Sequence, residues 1–313
     1  MKRDKSLDIA KGIAIILMMY GHLRYTWSNM DSVYGWISSF HMPFFIYITG
    51  LLTNVKETEK WQQVLAKARR VLVPYAVWNV VGYVVHSALK LQDQGFVQFV
   101  KGVVAGNNLN NNLPTWYLLA FFWISLFGIF VLPMIDTKKR LVIALVISVA
   151  AVFAIGMFTE VADYFRWKGV VTLLPFFLLG YLLKKIEFRL PWHLILLFFY
   201  AGYKTYRMNA VASWGYVVVG NGTVGEAHLY LVSATFTTLA LIETCRYLEK
   251  IPVCQILAVF GKHSLIILCT HWLFGNILLT RIEYGVPLFI AVLIIECVII
   301  GGLELYAKKK ETK

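Results

Sequence analysis

Apolar blocks that approach or exceed the length of a bilayer crossing recur along this chain, and they leave few folds open. A helix needs about 20 apolar residues to cross roughly 30 Å of hydrocarbon. Inside lipid every backbone N–H and C=O must find a partner within the protein, so only helices and closed barrels can cross. The 313 residues are 59% hydrophobic and 15% charged, with a mean hydropathy of +0.66. Soluble domains lie nearer half apolar and a quarter charged. The expected fold class is all-α, a polytopic membrane protein. Ten spans fit, near residues 7–25, 34–53, 71–90, 114–134, 140–158, 169–184, 191–206, 228–246, 263–280 and 285–306. Several are short or interrupted by Pro and Gly, which leaves room for one or two re-entrant segments.

The net charge of +13 would suit nucleic acid in a soluble protein. In a polytopic one it reads as topology, because Lys and Arg collect on the cytoplasmic side. With the N-terminus inside, 22 of the 30 Lys and Arg fall in inner segments, including Lys67–Arg70, Lys138–Arg140, Lys184–Lys185 and Lys308–Lys310. Arg24, Lys90, Lys101, Arg166, Lys168, Lys204, Arg207 and Arg281 fall outside. This split favours both termini in the cytoplasm and an even number of spans. The start "MKRDKS" and the run after it resemble a signal peptide, but no small-residue cleavage site follows. Asp8 and Lys11 interrupt the run, so the first helix is expected to be retained. Cys245, Cys254, Cys269 and Cys297 form no Cys-x-x-Cys pair and read as packing residues, so no metal site is expected. Two outer loops are long. One carries an amphipathic piece around Phe96–Val104 and then an Asn-rich turn. The other mixes aromatic residues with Gly and Asn, which suits sugar contacts and an ordinary interfacial loop equally.

The first span carries the sharpest signal, "DIAKGIAIILMMYGH" (Asp8–His22). At about 100° per residue, Lys11 and His22 return to within roughly 20° of each other, and Asp8 lies about 40° away from His22. The three form one stripe through some 16–21 Å of depth. Polar groups in a span usually face the bundle interior or a water-filled cavity. The competing reading for Asp8 and Lys11 is a place at the cytoplasmic interface with the lysine snorkelling. That reading suits His22 less well, because Arg24 follows it at the outer boundary. In the second span, "SSFHMPFFIYITGLL" sets His41 just before Pro43, which breaks backbone bonding. If this span runs inward, His22 and His41 lie at similar depth, and two histidines in adjacent spans favour a site.

On these residues the chain resembles membrane acyltransferase family 3. Lys11 and His22 match its basic-x10-His signature, with lysine where arginine is commoner. "SFHMPFFIYITGLL" and "KARRVLVPY" (Lys67–Tyr75) resemble the fucose 4-O-acetylase-like branch. "LPTWYLLAFF" (Leu113–Phe122), "LPFFLLGYLLKK" (Leu174–Lys185) and "FGKHSLIILCTHW" (Phe260–Trp272) follow in the family's order. The basic pair is shifted to Arg69 and Arg70 with Lys67, which leaves the role of each open. The chain reads as one integral membrane domain over 1–313, with no fused esterase-like domain.

The resemblance implies transfer of an acyl group, usually acetyl from cytoplasmic acetyl-CoA, to a hydroxyl of an envelope polysaccharide or lipid-linked glycan. Such chemistry needs a base for the hydroxyl proton, and histidine titrates near working pH. His22 is the expected base or transient acyl carrier. His41 is its expected orienting partner or a member of the relay, and Asp8 pairs with Lys11 or orients the histidine through another group. The phosphates of the donor call for cations, expected from Lys11, Lys67, Arg69 and Arg70. Trp116, Tyr117 and His271 are expected on the acceptor side, and Glu296 as a buried polar partner. The expected partners are acetyl-CoA, a glycan or lipid-linked sugar and the bilayer of a bacterial plasma (inner) membrane. No nucleic acid and no metal is expected, and a homo-oligomer is left open. A glycan or lipid transporter or flippase, using the same stripe as a path, and a succinyl-specific acyltransferase remain as alternatives.

Overall fold

The computed structural model describes residues 4–24, 32–55, 58–91, 94–107, 112–158, 160–212 and 217–311. The Asn-rich turn at 108–111, loop positions 213–216, and Lys2, Arg3, Lys56 and Lys313 lie outside them. Among the described residues the chain is helical, with only an isolated antiparallel bridge between Val218 and Thr223. The helices are α1 (Lys5–Arg24), α2 (Ser32–Leu52), α3 (Lys60–Ala88), α4 (Phe96–Ala105), α5 (Trp116–Phe130), α6 (Lys138–Ala154), α7 (Trp167–Lys185), α8 (Ile195–Ala212), α9 (Ala227–Leu248), α10 (Gln255–Lys262), α11 (Ser264–Leu278) and α12 (Val286–Glu311).

Each of the ten expected spans falls on one of these helices. By length and apolarity α1, α3, α5, α6, α7 and α12 qualify alone as crossings, and α10 with α11 makes a further pair bent by 75°. α2, α8 and α9 are 21, 18 and 22 residues long but carry polar residues such as His41, Lys204 and Glu243. The amphipathic piece expected after α3 is the short helix α4, with Phe99 and Gly102 buried.

Burial follows the rule for lipid rather than water. Val73, Val77, Val80 and Val84 form an exposed apolar stripe on α3, and Ile290, Ile294 and Val298 form one on α12. Helix association in lipid rests on packing and close approach, not on expelling water. α1 is the central helix: Ile9, Ala10, Ala14, Ile15, Met18 and Met19 are buried, and it packs against α2, α9, α10, α11 and α12. Two close approaches depend on glycine. A Cβ on Gly12 would strike the Leu257 carbonyl and one on Gly261 the Asp8 carbonyl, which locks α1 to α10. Gly50 and Gly180 do the same for α2 and α7.

Contacts between helix ends show which ends lie together. Lys184 Nζ at the end of α7 donates to the Thr53 carbonyl at 2.6 Å and to Asn54 Oδ1 at 2.7 Å, at the end of α2. Lys185 pairs with Asp136 before α6 at 2.7 Å. Lys262 and His263, at the α10–α11 bend, both bond Glu304 of α12 at 2.5 Å. At the opposite end the Gly285 N–H donates to the Leu23 carbonyl at 3.0 Å and ties α12 to the end of α1.

Candidate active site

Three helices bring three histidines together. His22 stands in the last turn of α1, His41 near the middle of α2 and His271 in the middle of α11. His22 Nδ1 lies 3.0 Å from His271 Nε2, and the two rings stack with centroids 5.3 Å apart. His41 stands edge-on to His22 at 6.1 Å, and Trp272 edge-on at 5.7 Å. His271 is fully buried and its Nδ1 lies 2.7 Å from the Ile267 carbonyl. His41 Nδ1 makes the equivalent contact with the Ile37 carbonyl, also at 2.7 Å.

These partners assign the tautomers of the neutral rings. A carbonyl only accepts, so His271 Nδ1 carries the proton and its Nε2 is a lone pair. That lone pair must accept from His22 Nδ1–H. His22 Nε2 is then the unprotonated nitrogen, on a side chain that lines a cavity of about 210 Å³. Gly21, Ser38, His41, Trp116 and Trp272 share that cavity, with the Val217–Gly220 segment on another wall. The buried Trp272 Nε1–H has no hydrogen-bond partner among the described residues.

A second cavity, of about 630 Å³, opens at the end where the basic residues cluster. Lys11, Lys67 and Arg70 line it, with Thr53, Asn54 and Gln63 among the polar groups. Lys11 is also paired with Asp8, Nζ to Oδ1 at 2.6 Å, and Lys67 lies 5.1 Å from the centre of the Phe121 ring.

The structure sorts the expected site residues. His22, His41 and Trp116 line the smaller cavity. Lys11, Lys67 and Arg70 line the larger, whereas Arg69 lines neither. Tyr117 faces the larger cavity although its neighbour Trp116 faces the smaller. His271, expected beside the acceptor, instead bonds His22. Asp8 lies fourteen residues below His22 on α1, about 21 Å along the axis, and touches Lys11 rather than the histidines. Trp272 was not singled out, although it ends the "FGKHSLIILCTHW" block.

A buried polar network holds α11 from behind. Asn112 Nδ2 donates to the Cys269 carbonyl at 2.8 Å, and Thr115 Oγ1 donates to the Asn112 carbonyl at 2.7 Å. Asn79 Nδ2 on α3 donates to Thr115 Oγ1 at 2.9 Å. On the other side Thr270 Oγ1 donates to Glu296 Oε1 at 2.6 Å, and Glu296 is fully buried as expected. No group of His, Cys, Asp or Glu able to hold a metal occurs among the described residues.

The chain is similar to Nodulation protein NolL of Mesorhizobium japonicum, 26% identical over 190 residues, or 58% of this chain. It spans about half the length of that relative, 48%. No solved structure matches the chain. A family model described as an acyltransferase domain matches residues 4–303. With that match running through nearly every helix, and with the basic-x10-His pair and the later blocks placed around two cavities, the chain belongs to membrane acyltransferase family 3.

Proposed function

We propose that this protein is an O-acetyltransferase of a bacterial plasma membrane, with both termini in the cytoplasm. It takes acetyl from cytoplasmic acetyl-CoA and places it on a sugar hydroxyl of an envelope polysaccharide or lipid-linked glycan. The observation that carries the reading is the His22–His271 pair. It leaves a bare imidazole nitrogen at a cavity, next to a larger cavity ringed by cations.

Lys11, Lys67 and Arg70 hold the phosphates of the donor, with the thioester directed inward. The sugar enters the smaller cavity, where the Trp116 ring offers a flat face. His22 Nε2 takes the hydroxyl proton as the oxygen attacks the thioester carbon. The Trp272 N–H is a donor for the carbonyl oxygen as it gains charge. The C–S bond then breaks, and the proton passes from His22 to the leaving thiolate, giving the ester and free CoA. Nothing is left on the enzyme, and His22 returns to its starting tautomer. In a two-step variant the same lone pair accepts the acetyl group first and the hydroxyl displaces it. His271 supports either course, since its lone pair faces His22 Nδ1–H throughout and the Ile267 carbonyl fixes its own proton.

The test is mass spectrometry of envelope glycans from cells with wild type, His22→Ala or no protein, before and after mild alkali. An alkali-labile gain of about 42 Da, the acetyl mass of an ester, is expected with wild type alone. Acetylation in the His22→Ala cells would sink the assignment of the base. Well-expressed protein with no acyl-CoA turnover would favour a transporter.

A further inference from the structure

The two cavities lie about one helical turn apart. On α2, His41 lines the smaller cavity and Phe45 the larger. On α11, Trp272 lines the smaller and Leu268 the larger. Each pair is four residues apart, about 6 Å of helix rise. On α5 the change occurs between consecutive residues, Trp116 and Tyr117. The space between is packed: Phe44, Met18 and Met19 are buried, and so are Cys269 and His271. Phe45 and Tyr117 meet edge-on at 6.5 Å, so the inner end of the larger cavity closes on aromatic rings from two helices and Leu268 from a third.

The chemistry of the larger cavity changes along its length. Its charged lining residues, Lys11, Lys67 and Arg70, belong to the segments at the basic end of the helices. The closed end is made by Ile15, Phe45, Ile48, Tyr117, Leu118 and Leu268, with the Tyr117 hydroxyl the sole polar side-chain group of that set.

From this we infer that Phe45, Tyr117 and Leu268 form the constriction that selects the acyl group, passing a short uncharged acyl toward His22 and holding back longer or anionic ones. The inference rests on the proposed function and deepens it. An acyl group carried on the donor thiol must pass these three side chains to reach the histidine end. Every added methylene must find room in a packed turn. No lysine or arginine is among the described residues that line the smaller cavity, so a terminal carboxylate such as that of a succinyl group would leave the cations of the larger cavity behind on passing the three side chains, and would lose its water without a partner. The constriction therefore separates the acetyl from the succinyl reading by size and by charge.

The experiment uses the full chain in native membranes that contain the acceptor glycan. Acetyl-CoA, butyryl-CoA and succinyl-CoA compete pairwise at equal concentration, and the esters formed are counted by mass. Wild type is expected to prefer acetyl over butyryl by at least about tenfold, the scale on which an apolar pocket discriminates a methylene. Leu268→Ala and Phe45→Leu are expected to raise the butyryl-to-acetyl ratio about tenfold or more, with Tyr117→Ala the largest change, while succinyl transfer stays low in all of them. A ratio between donors does not depend on how much of a variant folds, so reduced expression leaves the result readable. Unchanged ratios in these variants would overturn the constriction while leaving acyl transfer standing. Free succinyl transfer by wild type would overturn it as well. Absence of transfer from every donor in wild type, with the protein present, overturns the proposed function and this inference together.

Discussion

Replacing His271 by Phe removes the group that sets the tautomer of His22 while keeping a ring of similar bulk in a fully buried position. His22 Nδ1–H then loses the lone pair 3.0 Å away. An unsatisfied buried donor costs roughly 1–3 kcal/mol. The imidazole escapes part of that cost by turning or by moving its proton to Nε2, and either change removes the base from the hydroxyl. At about 1.4 kcal/mol per tenfold in rate, kcat should fall some 5- to 150-fold. The KM for acetyl-CoA should hold, because Lys11, Lys67 and Arg70 line the other cavity. His271→Gln offers a side-chain carbonyl that can accept from His22 Nδ1–H, and it should recover part of the loss. The assay is the initial rate of labelled acetyl transfer from acetyl-CoA to glycan in membranes, at several donor concentrations. A His271→Phe protein with wild-type kcat refutes the tautomer assignment. So does a loss that lies wholly in KM.

Four further substitutions address the donor cavity and the basic end of the bundle. Lys67→Ala and Arg70→Ala should each raise the KM for acetyl-CoA several-fold with less effect on kcat, and the increase should shrink in high salt as screening replaces the missing cation. Arg69→Ala should have a smaller effect, because Arg69 lines neither cavity; equal effects from all three would mean plain topology signalling. Partial burial pushes the Asp136 carboxyl up, but hydrogen bonds from Lys185 and Tyr181 and the Lys185 charge outweigh it and hold its pKa below the ordinary carboxylate value. A carboxylate lowered by folding stabilises the fold above its unfolded pKa, and that contribution is lost as pH falls through the folded pKa. Thermal unfolding in detergent should therefore show an acid-dependent loss of stability that Asp136→Asn removes, and an identical pH profile in the variant would exclude this link between α6 and α7.

Much of the architecture is local and was legible. Apolar blocks of crossing length became helices because the backbone has no other means of satisfying its hydrogen bonds in lipid. The Asp8–Lys11 pair is three residues apart on one helix, so its contact follows from helical spacing. The stripe from Lys11 to His22 was legible for the same reason, and its two ends do reach the two cavities. The fully buried Glu296 was legible because a carboxyl in the middle of a span must face protein. α10 was missed: it is eight residues long and bends sharply into α11, and nothing in its composition marks the angle.

The pairing of His22 with His271 joins positions 249 residues apart, and no spacing rule connects them. The expectation that His41 orients His22 came from their adjacency in neighbouring spans. Helix rotation sets His41 edge-on to His22 and brings His271, from a distant span, within hydrogen-bond distance. Trp116 and Tyr117 read as one aromatic pair, yet consecutive helical residues point about 100° apart, so the packing of α5 sends them to different cavities. By itself, then, the sequence determined which long apolar blocks are helices, which polar groups had to be kept from lipid and which family carries them. The tertiary structure alone decided which histidine faces which, which cations share a cavity and how near the two cavities lie. Those outcomes depend on the rotation and depth of each helix against its neighbours, which are set by packing between residues far apart in the chain.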